Sequence, residues 1–196
     1  MERERWPGML MIGSFGRNSG KTELSCALLR PLASHQPVTA VKVTTIDPAT
    51  RCPQGGKGCG VCGDFSGAYR LCDEQNAPEE KDTGRLRAAG ATRVLWLQVA
   101  ADRLAEGWAA LRAVLTPGEA VLCEANRLAM LVEPDLLLLV RRPDERAPKP
   151  SALMVEALAD QIIASNAVTD FVPQITLTAG RWQWATPTES LLGSCD

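Results

Sequence analysis

The sequence predicts an α/β domain of three layers with a mostly parallel central sheet. Three observations predict it. Apolar runs of strand length recur along the chain, among them MLMIGS (9–14), RVLWLQV (93–99) and DLLLLV (135–140), and strands that are apolar throughout belong in a sheet covered on both faces. Helical patterns separate these runs, as in crossover-connected parallel strands. The 196 residues are 45% hydrophobic and 22% charged, which suits a single domain with a sizeable core.

Taken in order, 9–14 reads as a buried strand that runs into a Gly-rich turn. Residues 21–30 then read as a helix stopped by Pro31, and VTAVKVTT (38–45) as a β-branched strand. Residues 48–79 are rich in Pro, Gly and Cys and lack periodicity; a connection of that length needs its own explanation. A polar helix is expected over 80–89 and a strand over 93–99. Leu104, Trp108, Leu111 and Leu115 lie on one face of a helix. Strands are expected at 120–123, 135–140 and 161–165, and a helix at 151–158. The C-terminal stretch is ambiguous, with a strand expected at 174–178.

Composition narrows the function. The net charge of −2 has no basic run behind it, so nucleic acid is not expected as the main partner. No apolar stretch approaches the ~20 residues that span a bilayer, and MERERWPGML lacks the apolar core of a secretion signal. A cytoplasmic protein without membrane contact is expected. Its seven cysteines then read as metal ligands or core residues rather than disulfides.

The most specific segment is FGRNSGKTEL (15–24). Its SGKT is the closing half of a phosphate-binding loop, G-x-x-x-x-G-K-[ST], although Phe15 stands where the first glycine belongs and Gly16 comes one place late. A strand precedes it and a helix follows. The segment Gly16, Arg17, Asn18, Ser19, Gly20, Lys21, Thr22 and Glu23 is therefore the expected nucleotide-binding stretch, its backbone amides facing a phosphate at a helix N-terminus. Lys21 would reach the β- and γ-phosphates and Thr22 would ligate Mg²⁺. The alternative is a Gly-rich turn without ligand. Two carboxylates stand where strands stop, Asp47 and Glu124, placed as direct or outer Mg²⁺ ligands. Lys21, Thr22, Asp47 and Glu124 are thus the expected catalytic set. Lys42 is either an edge feature or aimed into the site, and Asp82 either caps a helix or contacts substrate. Asn166, directly after a strand, reads a base edge or is an ordinary turn residue, and RRPD (141–144) is a second loose match to a guanine-reading segment.

Cys52, Cys59, Cys62 and Cys72 are spaced C-x6-C-x2-C-x9-C among glycines. This reads as a chelating pattern for Zn²⁺ or, alternatively, an iron–sulfur cluster; the other reading is four free thiols or a redox pair. Cys26 and Cys123 read as core residues, Cys195 as a terminal thiol and His35 as a surface residue.

Together, MLMIGSFGRNSGKTEL, VKVTTID, KDTGRLRAAGA and the acid-ending AVLCEAN resemble the molybdopterin-guanine dinucleotide biosynthesis protein B family, P-loop NTPases related to dethiobiotin synthetase. The resemblance spans most of 8–170. The family's Lys-His-Thr-His-His-Asp is here Lys42 to Asp47 without histidines, its Glu-Gly is Glu124-Ala125, and the cysteine segment is not part of its core pattern. The resemblance implies GTP binding, slow Mg²⁺-dependent hydrolysis, a homodimer, and service to molybdenum-cofactor biosynthesis with a metalloenzyme or cofactor-biosynthesis partner. Two rivals remain: an ATP-dependent small-molecule kinase or ligase of the dethiobiotin synthetase type, and a non-catalytic metal-binding regulator.

Overall fold

The computed structural model describes residues 2–47 and 65–186. Its elements, in chain order, begin with a short strand β1 (Glu4–Arg5) and the buried β2 (Met9–Ser14), followed by helix α1 (Lys21–Leu29) and β3 (Val38–Ile46). Next come β4 (Tyr69–Asp73), α2 (Asp82–Ala88), β5 (Arg93–Ala100), α3 (Leu104–Val114), β6 (Ala120–Glu124), β7 (Val132–Glu133) and β8 (Leu136–Arg141). The chain continues through α4 (Pro150–Leu153), β9 (Gln161–Ala164), α5 (Val168–Phe171), β10 (Ile175–Thr178) and β11 (Arg181–Trp184).

Seven strands form the central sheet in the order β4-β5-β3-β6-β2-β8-β9. Neighbours are parallel except at one edge, where β4 runs antiparallel to β5. The apolar runs β2, β6 and β8 take central places because both of their faces are covered. Alternation along the strands divides the core in two. Leu10, Ile12, Leu122 and Leu138 pack with Leu24, Leu28 and Leu86 of α1 and α2 and with Phe171 of α5. Met9, Met11, Cys123 and Leu139 pack on the other face with Trp108 and Leu111 of α3 and with Ala152 of α4. The fold is α/β with a mostly parallel sheet and apolar layers on both sides, compatible with three layers.

Two expectations need correction. The stretch 48–79 is not irregular throughout, since Tyr69–Asp73 pairs along β5 with Cys72 opposite Trp96. The helix expected at 151–158 is one turn, α4, followed by a 3-10 turn at Glu156–Leu158. Leu153 and Met154 are 53% and 49% exposed, so there is no continuous apolar stripe to sustain a longer helix. The strand expected at 174–178 is β10, and β11 completes a hairpin with it through a two-residue left-handed turn, Ala179-Gly180. Among the described residues no helix is long and apolar enough to cross a membrane.

The connections fix where a ligand can sit. From β2 the chain leaves through α1 toward β3, while from β8 it leaves through α4 toward β9, in the opposite direction along the sheet and on the other face. Crevices in open α/β sheets lie at such a reversal, outside the carboxyl ends of the strands. The turn between β2 and α1 is at that rim.

Candidate functional site at the carboxyl ends of the strands

The turn starts from a strand end held in place by another strand's loop. Asn126, two residues past β6, accepts from the Ser14 amide through Oδ1 at 2.9 Å and donates from Nδ2 to the Ser14 carbonyl at 2.9 Å. The Ser14 hydroxyl donates to the Gly16 carbonyl at 2.8 Å and accepts from Lys21 Nζ at 3.1 Å. Lys21 is thereby folded back over the strand end. Phe15 belongs to the core on the α3 face and is fully buried, and the Arg141 guanidinium lies 3.7 Å from its ring centroid. The ring therefore roots the turn from below and does not fill the space in front of it. Gly20 has φ 90°, a left-handed conformation that glycine adopts without penalty, and the first turn of α1 starts on its carbonyl.

Strand register brings the charged groups together. Ile12, Glu124 and Lys42 stand in one row across β2, β6 and β3, all on the α1 face. Glu124 is 2% exposed. Ser25 Oγ lies 2.9 Å from its Oε1, and Thr22 Oγ1 donates to its Oε2 at 3.2 Å. Asp82, the first residue of α2, is ion-paired with Lys42 and within hydrogen-bonding reach of Thr22. Burial works to raise the Asp82 carboxyl, but the hydrogen bond and charge of Lys42 outweigh it, so it ends below the ordinary carboxylate value. Burial also holds Lys21 below the ordinary lysine value; the Glu124 charge opposes this and Lys42 reinforces it.

Of the two carboxylates expected to serve Mg²⁺, Glu124 stands beside Thr22. Asp47 is ion-paired with Arg127 at 3.7 Å. Strand alternation accounts for the difference: Lys42 faces α1, so a position five residues further along the extended chain faces the other side of the sheet. Asp82 takes the place beside Thr22 that sequence order offered to Asp47. Arg17, Asn18 and Glu23 are exposed and Ser19 is buried. Glu23 is committed to Arg85 at 2.9 Å. Asn166 is exposed on a 3-10 turn directly after β9. The neighbouring Ser165 flanks the turn, its Cβ 3.4 Å from where a Cβ on Gly20 would stand.

Several residues of the site have no motif to announce them: Ser14, Ser25, Asn126, Glu145 and Lys149. The strand-end position of Asn126, two residues after Glu124, was the nearest thing to a signal. Cys26 and Cys123 are buried and His35 is exposed, as expected; burial pushes both thiols above the ordinary cysteine value. Cys72 is partly buried on β4 as a free thiol. Cys52, Cys59, Cys62 and Cys195 lie outside the described residues, and with the first three of them so does most of the expected four-cysteine site. Among the described residues no cluster of three metal-ligating side chains occurs.

The donors that do meet, a buried carboxylate and two hydroxyls beside a lysine, are hard oxygens of the kind that suit Mg²⁺ rather than a soft metal. Facing them is an excess of cations, Arg17, Lys21, Lys42 and Lys149. The arrangement can bind an anion and hold a hard cation against it. No family model, no curated protein and no solved structure matches this chain.

Proposed function

We propose that this protein binds a nucleoside triphosphate with Mg²⁺ as a P-loop NTPase and hydrolyses it slowly, with GTP expected ahead of ATP. One observation carries the reading: Lys21, Thr22 and Glu124 converge behind a glycine turn that opens at the sheet's reversal point. The loop amides and Lys21 would hold the β- and γ-phosphates. Thr22 and Glu124 would hold Mg²⁺, which when bound neutralises charge on the phosphates. Ser25 positions Glu124, and Asn126 fixes the strand end on which Lys21 rests. Asn166, exposed directly after β9, would read the base edge. Slow turnover is expected, since Arg141, the described arginine of β8 at the turn, is stacked on the buried Phe15 ring.

A role in metal-cofactor assembly, a homodimer and a Zn²⁺- or cluster-bearing Cys52, Cys59, Cys62 and Cys72 belong to the same proposal and rest on motif order and cysteine spacing. One observation favours a second reading, transfer to a small-molecule acceptor: the Lys42–Asp82 pair beside Thr22 offers a cation and a carboxylate where an acceptor would approach. The test is titration of the purified protein with GTP and ATP in Mg²⁺, with elemental analysis of the same sample. Lys21→Ala should weaken binding at least about 100-fold, by loss of a desolvated charge-assisted contact. Failure to bind either nucleotide at millimolar concentration refutes the proposal.

A further inference from the structure

The segment that follows β8 folds back onto the glycine turn and is held there at two points, with Arg141 at the end of β8 as a third. The Lys149 amide donates to the Phe15 carbonyl at 2.7 Å. The Glu145 side chain is 7% exposed and presses against Gly16, where a Cβ would fall 1.9 Å from Oε2; Ser19 Oγ lies 3.5 Å from the same oxygen. Arg141 stacks over Phe15. Gly16 is thus needed for close approach. The segment leaves Lys149 half-buried among the turn's cations. Lys42 is committed to Asp82, and Lys21 lies in the field of Glu124. The Lys149 ammonium makes no ion pair with a described residue.

We propose that Lys149 is a second phosphate-binding lysine, supplied from the segment after β8 to the same anion that Lys21 and the turn amides hold. The inference rests on the nucleotide-site reading above. Electrostatics agree with the geometry. Burial brings the Lys149 ammonium down to about 8, Lys21, Arg17 and Lys42 push the same way, and Glu145 opposes them. From the other elements around the turn, Glu124 of β6 and Asp82 of α2 are the carboxylates, and they are engaged with Thr22, Ser25 and Lys42. A polyphosphate anion would supply the missing negative charge, so Lys149 would take up a proton when it binds.

The experiment is calorimetric titration of the full chain at pH 8.5 with Mg²⁺-GTP, Mg²⁺-ATP and tripolyphosphate, in two buffers of different ionisation enthalpy. The expected uptake is about 0.75 proton per site, from a free value about 8 and full protonation when bound. Lys149→Met should abolish the uptake and weaken binding at least about tenfold. Lys149→Arg should keep the affinity and lose the uptake. Nucleotide binding without uptake, an uptake that persists in Lys149→Met, or wild-type affinity in that variant overturns the assignment and leaves the nucleotide site standing. Absence of binding by all three ligands removes both.

Discussion

Glu124→Gln separates a metal-binding role for this carboxylate from a purely structural one. The side chain is 2% exposed and touches two hydroxyls, Ser25 at 2.9 Å and Thr22 at 3.2 Å. Glutamine keeps its volume and both contacts, since its oxygen can accept from one hydroxyl and its N–H can donate to the other. What disappears is charge, with two opposed effects. Relief from burying a carboxylate is worth several kcal/mol after relaxation. Against it stands the lost attraction to Lys21, whose protonation Glu124 supports, worth on the order of a few kcal/mol at close range and intermediate dielectric. The terms are of similar size, so unfolding stability should stay within about 1 kcal/mol of wild type. Magnesium has no such compensation. A hard cation loses an anionic oxygen, and the gain in nucleotide affinity on adding Mg²⁺ should fall at least about tenfold, or 1.4 kcal/mol. Urea denaturation and a Mg²⁺ titration at fixed fluorescent nucleotide read the two quantities. A stability loss of ~3 kcal/mol or more would make Glu124 an anchor of the fold, and an unchanged Mg²⁺ response would remove it from the metal site; either result refutes the reasoning.

Two further outcomes follow from the same geometry. Asp135 is 3% exposed and accepts from the amides of Gly8 (2.9 Å) and Trp182 (3.1 Å) and from Arg181 Nε (2.9 Å). Asp135→Ala orphans both amides and should cost about 3–4 kcal/mol, read as a lowered urea midpoint; a loss below ~1 kcal/mol contradicts the network. Lys149 titrates near 8 in the fold against an ordinary 10.5, so its charge penalises the native state below about pH 8. That penalty is relieved as the pH climbs from 8 toward 10.5, because the unfolded chain then binds more protons. Without nucleotide, Lys149→Met should therefore melt higher than wild type at pH 7, with the difference closing above about pH 10. A difference that does not vary with pH argues against a crowded ammonium.

What the sequence made legible depended on how local each feature was. β2, β5 and β8 are apolar on both faces, and the stretch Leu104 to Leu115 marks one helix face, so pattern alone found them. β1 and β7 are two residues each and carry no period. β4 hid in a cysteine-rich stretch because only Leu71 and Cys72 of its five residues are partly buried. The site divided along the same line. Lys21, Thr22 and Glu124 have motif and strand-end signals. Asp47 and Asp82 both follow plausible rules, and only the parity of β3 and the docking of α2 decide between them at Thr22. Lys149 and Glu145 reach the turn through a fold-back of the chain, which no sequence spacing records.

The turn between β2 and α1 has a mechanical consequence. Phe15, at its start, is rooted in one apolar layer, and Leu24, just beyond it, in the other. The turn is a rivet through the sheet's rim, set only when both layers are seated. A ligand that grips it would brace the whole domain, and melting should rise as one transition, by about 2.7 kcal/mol at a hundredfold excess over Kd, with no early softening of either side.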